Sequence, residues 1–255
     1  MKQFVLSPAA GKRLIAKAML THEHVRNALK NATVVVIAGT TNGYVAEEML
    51  SFIGENQAFP RNRFFRGIVL PPDRPKKEDG RVPDESGFPG DVVIAKGVWQ
   101  KGKTIFDVVH DLTEKDVIIK GANAVHLESR RAAVLIAHPQ AGTIGASLPA
   151  HYGRRVPLII PVGLEKRVSG NLDELAAEMN HPGAQGPRLL PVPGEIVTEL
   201  DAIFMLSGAK ARLVAAGGVA GAEGSVWLAL SGEEEQENKA LAILQSVARE
   251  PSFQR

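Results

Sequence analysis

A run of apolar, β-branched residues that ends at a glycine-bearing turn limits most strongly what this chain can fold into. The run "TVVVIA" covers residues 33–38, and the turn "GTTNG" follows it at residues 39–43. Apolar residues then recur at helical spacing from Val45 to Leu50, and the pattern stops at Gly54. A strand that is apolar throughout is typical of a parallel sheet covered on both faces. The pattern therefore predicts a buried strand that opens directly into a helix.

The same change from strand to glycine-bearing loop occurs three more times along the chain. The stretches are "DVIIKGANAV", "AAVLIAHPQAGTIG" and "VPLIIPVGLEKRV", and segments of helical length separate them. Successive strands joined by helices form parallel sheets, in which the loops after the strands gather at one edge. The sequence therefore predicts an α/β fold with a doubly wound, mostly parallel sheet.

Two parts of the chain differ from this pattern. Residues 59–103, here called the insertion, contain the strand-like stretches "FFRGIVLP" and "DVVIAKGVW" around a charged segment rich in Pro and Gly, which predicts a long hairpin or mobile flap. Residues 188–255 follow a β-α-β-β-α order, which predicts a smaller ferredoxin-like α+β domain after an α/β domain at residues 1–187. The polar stretch "NLDELAAEMNHPGAQGP" is expected to link the two domains. The β-α-β-β-α order lacks the final strand of a ferredoxin-like domain, and "KQFVLS" near the amino terminus is a candidate for it.

Composition and charge exclude several classes of function. The 255 residues are 44% hydrophobic, and the net charge of +2 is too balanced to indicate a nucleic-acid or membrane partner. No cysteine is present, so disulfides, thiolate nucleophiles and Cys-ligated zinc are excluded. His22 and His24 have an i, i+2 spacing that separates them on a helix, so no metal is expected there. No apolar run approaches the roughly 20 residues of a membrane span, so we expect a soluble cytoplasmic protein without a cofactor.

The turn after the first strand is suited to attract an anion. A strand that opens through such a turn into a helix directs free backbone N–H groups, hydroxyl groups and the positive end of the helix dipole to one point. The candidate phosphate or carboxylate contacts are Gly39, Thr40, Thr41, Asn42 and Gly43. The turn is neither a Walker A loop nor a Gly-x-Gly-x-x-Gly loop. The alternative is that the glycines only permit a tight turn, and that Thr41 or Asn42 caps the helix.

The order of these junctions resembles that of the ribose-5-phosphate isomerase A family, within the wider group of sugar-phosphate isomerase and coenzyme A transferase folds. The matching stretches are "AGTTNGYVAEEML", "DVIIKGANAV", "HPQAGTIGA", "PVGLEKRV" and "LLPVPGEIVTELDAI". They extend over most of residues 11–230, apart from the insertion. The resemblance implies a phosphate loop at residues 39–43, assisted by Lys12 on the opening helix and by Lys166 in "LEKRV".

The residues that carry catalysis in that family are replaced here. The positions of the family's Asp-Gly-Ala-Asp-Glu strand end read Lys120, Gly121, Ala122, Asn123 and Ala124. The family's loop lysine also has no clear counterpart, and His138 stands nearest to it. Asn does not titrate, and Lys must be strongly desolvated to lose its proton at neutral pH. Isomerisation of ribose 5-phosphate by the family's own mechanism is therefore not expected.

Three residues near these strand ends are candidates for catalysis. Lys120 has two interpretations. It contacts the ligand, by binding an anion or by forming a Schiff base with a sugar carbonyl, or it forms a salt bridge to a neighbouring carboxylate. Asn123 either hydrogen-bonds a ligand hydroxyl or stabilises a turn, and His138 is either a proton carrier or a structural side chain. Glu195 and Glu199, one helical turn apart, have a spacing that permits acid and base work, but a solvated helix face, or complementation of the helix dipole at the first turn, is expected instead.

These patterns predict a protein that binds a small anionic molecule, in the first place a sugar phosphate. If the protein is an enzyme, an isomerase or lyase step next to a carbonyl is expected. One alternative is a non-catalytic sugar-phosphate sensor, and another is a coenzyme A transferase-like enzyme with Glu128 or Glu165 as its nucleophile. A homo-oligomer is expected because "IFMLSG" and "VWLAL" offer apolar surface.

Overall fold

The chain alternates strands and helices over most of its length. The structure is a computed structural model that describes residues 1–67 and 69–253. Its strands are β1 (Lys2–Leu6), β2 (Thr33–Val36), β3 (Val92–Ala95), β4 (Val98–Trp99), β5 (Val117–Ile119), β6 (Ala124–His126), β7 (Arg131–Ile136), β8 (Leu158–Pro161), β9 (Arg188–Val192), β10 (Glu195–Val197), β11 (Lys210–Ala216) and β12 (Val226–Ser231). Its helices are α1 (Pro8–Met19), α2 (Glu23–Asn31), α3 (Thr40–Phe52), α4 (Ile105–Val108), α5 (Gly142–Leu148), α6 (Leu172–Met179), α7 (Glu199–Ser207) and α8 (Glu234–Val247). No helix in these two ranges combines the length and the apolar character that crossing a membrane requires.

A mixed sheet lies at the centre of the described residues, with the strand order β10-β8-β5-β2-β3-β4. The strands from β10 to β2 run parallel to their neighbours, whereas β3 pairs antiparallel with both β2 and β4. The predicted α/β class is confirmed at this level, as a fold with several sheets of which one contains parallel strands. The parallel pairing brings the carboxyl ends of β2 and β5 side by side.

Both faces of the central sheet are covered, as the apolar sequence of β2 requires. Val34 and Val36 belong to a core shared with α1 and α3. Val35 and Ile37 point the other way, into a second core that includes residues of α4 and α5. Because successive side chains of a strand alternate between faces, one uninterrupted apolar run supplies both cores. Complete burial of each such side chain stabilises the fold by roughly 1.5–3 kcal/mol.

The insertion contributes an edge hairpin and a long irregular segment. Its second strand-like stretch forms β3 and β4, as predicted. The first stretch, "FFRGIVLP", forms no strand in its described residues, and Ile68 lies outside the described residues. Gly67 has a φ of +71°, and Pro71 and Pro72 lack N–H groups, so this stretch is poorly suited to sheet pairing.

A second sheet, with the order β6-β7-β9, corrects the prediction for the run "AAVLIAH". This run forms β7, which pairs antiparallel with both neighbours instead of joining the parallel sheet. Only four residues separate β6 from β7, and a connection that short permits a hairpin but not a parallel crossover. The stretch expected to be a linker contains α6, which packs apolar residues such as Leu172 and Ala176 against this sheet.

The third sheet has the order β1-β12-β11 and lies near α7 and α8. The stretch "KQFVLS" supplies β1, which pairs antiparallel with β12. The ferredoxin-like arrangement is wrong for the first strand, because β9 lies in the second sheet and β10 extends the central sheet. The division into domains at residues 1–187 and 188–255 stays a prediction. The homo-oligomer also stays a prediction. Phe204 and Trp227, which are 57% and 45% exposed, provide apolar surface for such an assembly.

Candidate functional site

A cleft of about 400 Å³ lies at the carboxyl ends of β2 and β5. That edge is where open α/β sheets bind ligands, and the volume falls in the range of small-molecule sites. The residues proposed from the sequence that line it are Gly39, Thr40, Thr41, Asn42, Lys120, Asn123, His138 and Lys166. Gly43 and Lys12 lie outside the lining. The cleft therefore brings together most of the residues that the strand ends predicted.

The start of α3 presents backbone amides that have no acceptor. Gly39 is extended, with φ 177° and ψ 159°, and no side chain caps the helix. The first backbone hydrogen bond runs from the N–H of Gly43 to the carbonyl of Gly39, at 2.8 Å. The described residues supply no acceptor for the N–H groups of Thr40, Thr41 and Asn42. Neither predicted cap is formed, so these amides and the helix dipole are available to an anion.

Asn42 and Gly43 have structural roles. Asn42 is fully buried, and its amide donates to the carbonyl of Ile37 at 2.7 Å and to that of Ile119 at 3.1 Å. It thereby ties together the strand ends that form the floor of the cleft. Gly43 lies against the insertion, since a Cβ atom there would be 3.2 Å from Cγ of Arg61. At Asn42, the backbone N–H remains as a donor for a ligand, while Oδ1 of the side chain is buried without a hydrogen-bond partner among the described residues.

Lys166 reaches the cleft from the turn after β8. Its Nζ donates to the carbonyl of Ala122 at 3.0 Å and to Oγ1 of Thr41 at 3.4 Å. No carboxylate oxygen of the described residues lies within 4.0 Å of this Nζ, the limit for an ion pair. Burial lowers the pKa of Lys166, which means that the folded protein disfavours its charge unless an anion arrives.

Lys120 lies at the end of β5 and is still less engaged than Lys166. Its Nζ makes one long hydrogen bond, of 3.4 Å, to the carbonyl of Gly121. The salt bridge that the sequence allowed is not formed, because no described carboxylate lies within 4.0 Å of the ammonium. Burial lowers the pKa of Lys120 to about 8, and the positive charge of Arg66 adds to this, while Asp91 opposes it.

We expect Lys120→Met to stabilise the empty protein at pH 7. With a pKa of about 8 in the folded state and 10.5 as its ordinary value, Lys120 binds fewer protons folded than unfolded between these pH values. The free energy of unfolding therefore rises as the pH goes from 8 to 10.5. Below pH 8 the charged lysine lowers this free energy by up to roughly 3 kcal/mol. Urea denaturation at pH 7 and above pH 10.5 measures the difference, which should vanish at the higher pH. A destabilised variant at pH 7 would contradict this account.

Three ionisable side chains, those of Lys12, Glu165 and Glu199, are electrostatic neighbours of Lys166. Nζ of Lys12 is 3.0 Å from Oε1 of Glu165, so this lysine is paired instead of facing the cleft. Glu199 is 1% exposed and accepts a hydrogen bond from the N–H of Leu164 at 2.9 Å. Burial raises the pKa of Glu199 to about 8, and the charge of Glu165 adds to the effect. The prediction of a solvated helix face for Glu199 is therefore wrong.

Asn123 and His138 both use a side-chain atom in a local hydrogen bond. Oδ1 of Asn123 accepts from the N–H of Leu135 at 3.0 Å, which supports the structural interpretation of this residue. Nδ1 of His138 accepts from the N–H of Gln140 at 3.1 Å. In the neutral ring the proton must then be on Nε2, so His138 can donate to a ligand from that atom.

Sequence reasoning missed the contribution of the insertion. Asp91 is 0% exposed, and its carboxylate accepts from Nη2 of Arg66 at 2.7 Å, from the N–H of Ala38 at 2.9 Å and from the N–H of Ile105 at 2.9 Å. Arg66 and Arg81 line the cleft. A carboxylate directly before the buried strand β3 was a usable signal, because a buried charge requires a partner.

Carboxylates are scarce in this cleft. Asp79 is the only one among the described lining residues, and it pairs with Arg81 at 3.4 Å. Glu128 and Glu165, the candidate nucleophiles of a coenzyme A transferase, lie outside the lining. Within residues 1–67 and 69–253, no three His, Asp or Glu side chains are grouped as a metal site would need.

Comparisons with models of protein families, with curated proteins and with solved structures give no match to this chain. The protein is therefore characterised by its own fold and by the residues of its cleft. It is an α/β protein whose cleft, at the carboxyl edge of a mixed sheet, is lined by Arg66, Arg81, Lys120 and Lys166.

Proposed function

We propose that the cleft binds a small phosphorylated molecule, in the first place a sugar phosphate. One observation carries the proposal: Lys120 and Lys166 line the cleft beside the uncapped start of α3, and no carboxylate of residues 1–67 or 69–253 lies within ion-pair distance of either lysine. Two half-buried ammonium groups without a carboxylate at ion-pair distance are unfavourable in an empty protein. An anion bound at the α3 amides and Lys166, in the same cleft as Lys120, would relieve this cost.

The charges of the cleft suit a phosphate monoester. Arg66 is paired with Asp91, and Arg81 is paired with Asp79. Lys120 and Lys166 are left, with two positive charges. A phosphate monoester carries a charge between −1.5 and −2 at neutral pH, so one such group matches the excess. A carboxylate would leave about one positive charge unmatched.

The resemblance to the ribose-5-phosphate isomerase A family supports the same proposal. The uncapped turn before α3 corresponds to that family's phosphate loop, and Lys166 is within hydrogen-bond distance of Thr41 in this turn. We extend the inference to the fold, as a divergent form of the family's doubly wound sheet. The parallel strands β10, β8, β5 and β2 favour this inference.

Sugar-phosphate binding can be tested by thermal shift. Ribose 5-phosphate should raise the melting temperature more than ribose or inorganic phosphate does, because a ligand that binds only the folded state stabilises it by mass action. Lys166→Met should weaken binding about 10- to 100-fold, since a hydrogen bond to a charged group is worth roughly 1.5–3 kcal/mol.

Lys115→Met provides the matched control, because Lys115 is exposed and precedes the opposite end of β5. It should bind like the wild type. If no phosphorylated sugar shifts the melting temperature, or if both lysine variants respond alike, the proposal is wrong.

Whether the protein is an isomerase or lyase, or a sensor without catalysis, is decided by a separate measurement. An isomerase or lyase step next to a carbonyl removes a carbon-bound proton, and Lys120 and His138 are the titratable lining residues proposed to carry it. Proton NMR of the bound sugar phosphate in heavy water reports that exchange. Exchange favours the enzyme, and binding without exchange favours the sensor.

A further inference from the structure

We propose that Lys120 forms an imine with the carbonyl group of an open-chain sugar phosphate whose phosphate is held at the start of α3. This inference rests on the proposed function and narrows the ligand to phosphorylated aldehydes and ketones. It assigns different tasks to the two lysines of the cleft, with Lys166 as the phosphate contact and Lys120 as the nucleophile.

The contacts of the two ammonium groups support this division. Lys166 is anchored by two acceptors, one of which is Oγ1 of Thr41 in the anion-binding turn. Lys120 has only the 3.4 Å contact with the carbonyl of Gly121. It belongs to the end of β5, the strand next to the one that leads into α3. A ligand bound by its phosphate at α3 can therefore extend its carbon chain across the neighbouring strand end towards Lys120.

The surroundings of Lys120 favour the neutral amine, which is the nucleophilic form. Arg66 and Lys166 are positive neighbours, and burial removes the solvation that an ammonium needs. With a pKa of about 8, roughly one tenth of the amine is neutral at pH 7 and half at pH 8. An exposed lysine has far less neutral amine at the same pH.

The proposed step requires no oxidant, metal or second substrate. The nitrogen lone pair attacks the carbonyl carbon, a C–N bond forms, and one proton passes from the nitrogen to the oxygen to give a neutral carbinolamine that again has a nitrogen lone pair. That hydroxyl group leaves as water after a second protonation, while the nitrogen lone pair forms the C=N bond. The second proton comes from water, and His138, which lines the same cleft and holds its neutral-state proton on Nε2, is assigned to hydrogen-bond the leaving oxygen. The iminium cation keeps the positive charge beside the phosphate.

Reductive trapping tests the imine directly. The protein is incubated with ribose 5-phosphate and cyanoborohydride, which reduces an iminium to a stable amine. Intact mass should show one adduct, equal to the sugar phosphate less one oxygen atom, and peptide mapping should place it on Lys120. The rate should rise severalfold from pH 7 to pH 8. Ribose without phosphate should react at least tenfold more slowly.

Variants and a competitor complete the test. Lys120→Arg should remove the adduct while ribose 5-phosphate still shifts the melting temperature, and Lys115→Arg should label like the wild type. Inorganic phosphate should slow labelling of the wild type by competition, a readout that does not depend on any variant folding. Binding without an adduct, or an adduct spread over surface lysines, overturns the imine but not the proposed function. Absence of binding overturns both.

Discussion

Asp91→Ala lowers the free energy of unfolding by roughly 3–5 kcal/mol, the expected cost of removing one partner of a buried ion pair. The carboxylate is completely buried and joins Arg66 of the insertion to the backbone after β2 and at the start of α4. Its removal leaves a guanidinium that is 21% exposed without its counter-ion, and two backbone N–H groups without an acceptor. Urea denaturation at pH 7 measures the loss.

Asp173→Ala is the matched control for this prediction. Asp173 also pairs with an arginine, at 2.8 Å from Arg131, but it is 62% exposed. Surface ion pairs of this kind contribute less than about 1 kcal/mol. The two variants thus compare pairs of similar length that differ in burial. If both variants lowered the free energy of unfolding by the same amount, burial of Asp91 would not account for its contribution to stability.

Glu199→Gln removes most of the loss of stability that we expect the wild type to show between pH 4.5 and pH 8. The folded-state pKa of Glu199 is raised from 4.5 to about 8, so the folded protein keeps a proton that the unfolded chain releases. Stability from this group is complete below pH 4.5 and declines as pH rises to about 8. The total change is at most roughly 4–5 kcal/mol.

The glutamine variant stays neutral and can still accept the hydrogen bond from the N–H of Leu164. It should match the wild type near pH 4.5 and exceed it by several kcal/mol at pH 8, where urea denaturation series are compared. Glu114→Gln, at an exposed loop position, should leave the pH dependence unchanged. If the stability of Glu199→Gln fell with pH as steeply as that of the wild type, Glu199 would not be a buried neutral carboxyl group.

The neutral state of Glu199 also bears on the cleft. Near pH 7 Glu199 carries no charge, so within this group the charge of Lys166 is offset only by Glu165, which is also paired with Lys12. Above pH 8 the ionised Glu199 would offset it. Lys120 loses its own proton in the same range. Affinity for an anion should therefore fall as pH rises through 8.

The local part of the site was accessible from the sequence. β-Branched residues at 33–38 predict a buried strand, and the glycines at 39 and 43 predict the turn that opens into α3. The end of β5 was found in the same way, which led to Lys120, whereas Lys166 was proposed from the resemblance to the isomerase family. Such residues can be predicted because propensity, alternation and turn chemistry are encoded in neighbouring positions.

The partners of those residues were decided by tertiary structure alone. Asp91 meets Arg66 across 25 positions of an irregular segment, and Leu164 meets Glu199 across 35. β7 looks like a parallel strand in sequence but pairs antiparallel in a separate sheet, because its short link to β6 leaves no room for a crossover. Local pattern determined which strands and turns form around the cleft. The burial that pairs or isolates each charge arises only when distant segments pack together, since desolvation depends on the whole surrounding fold.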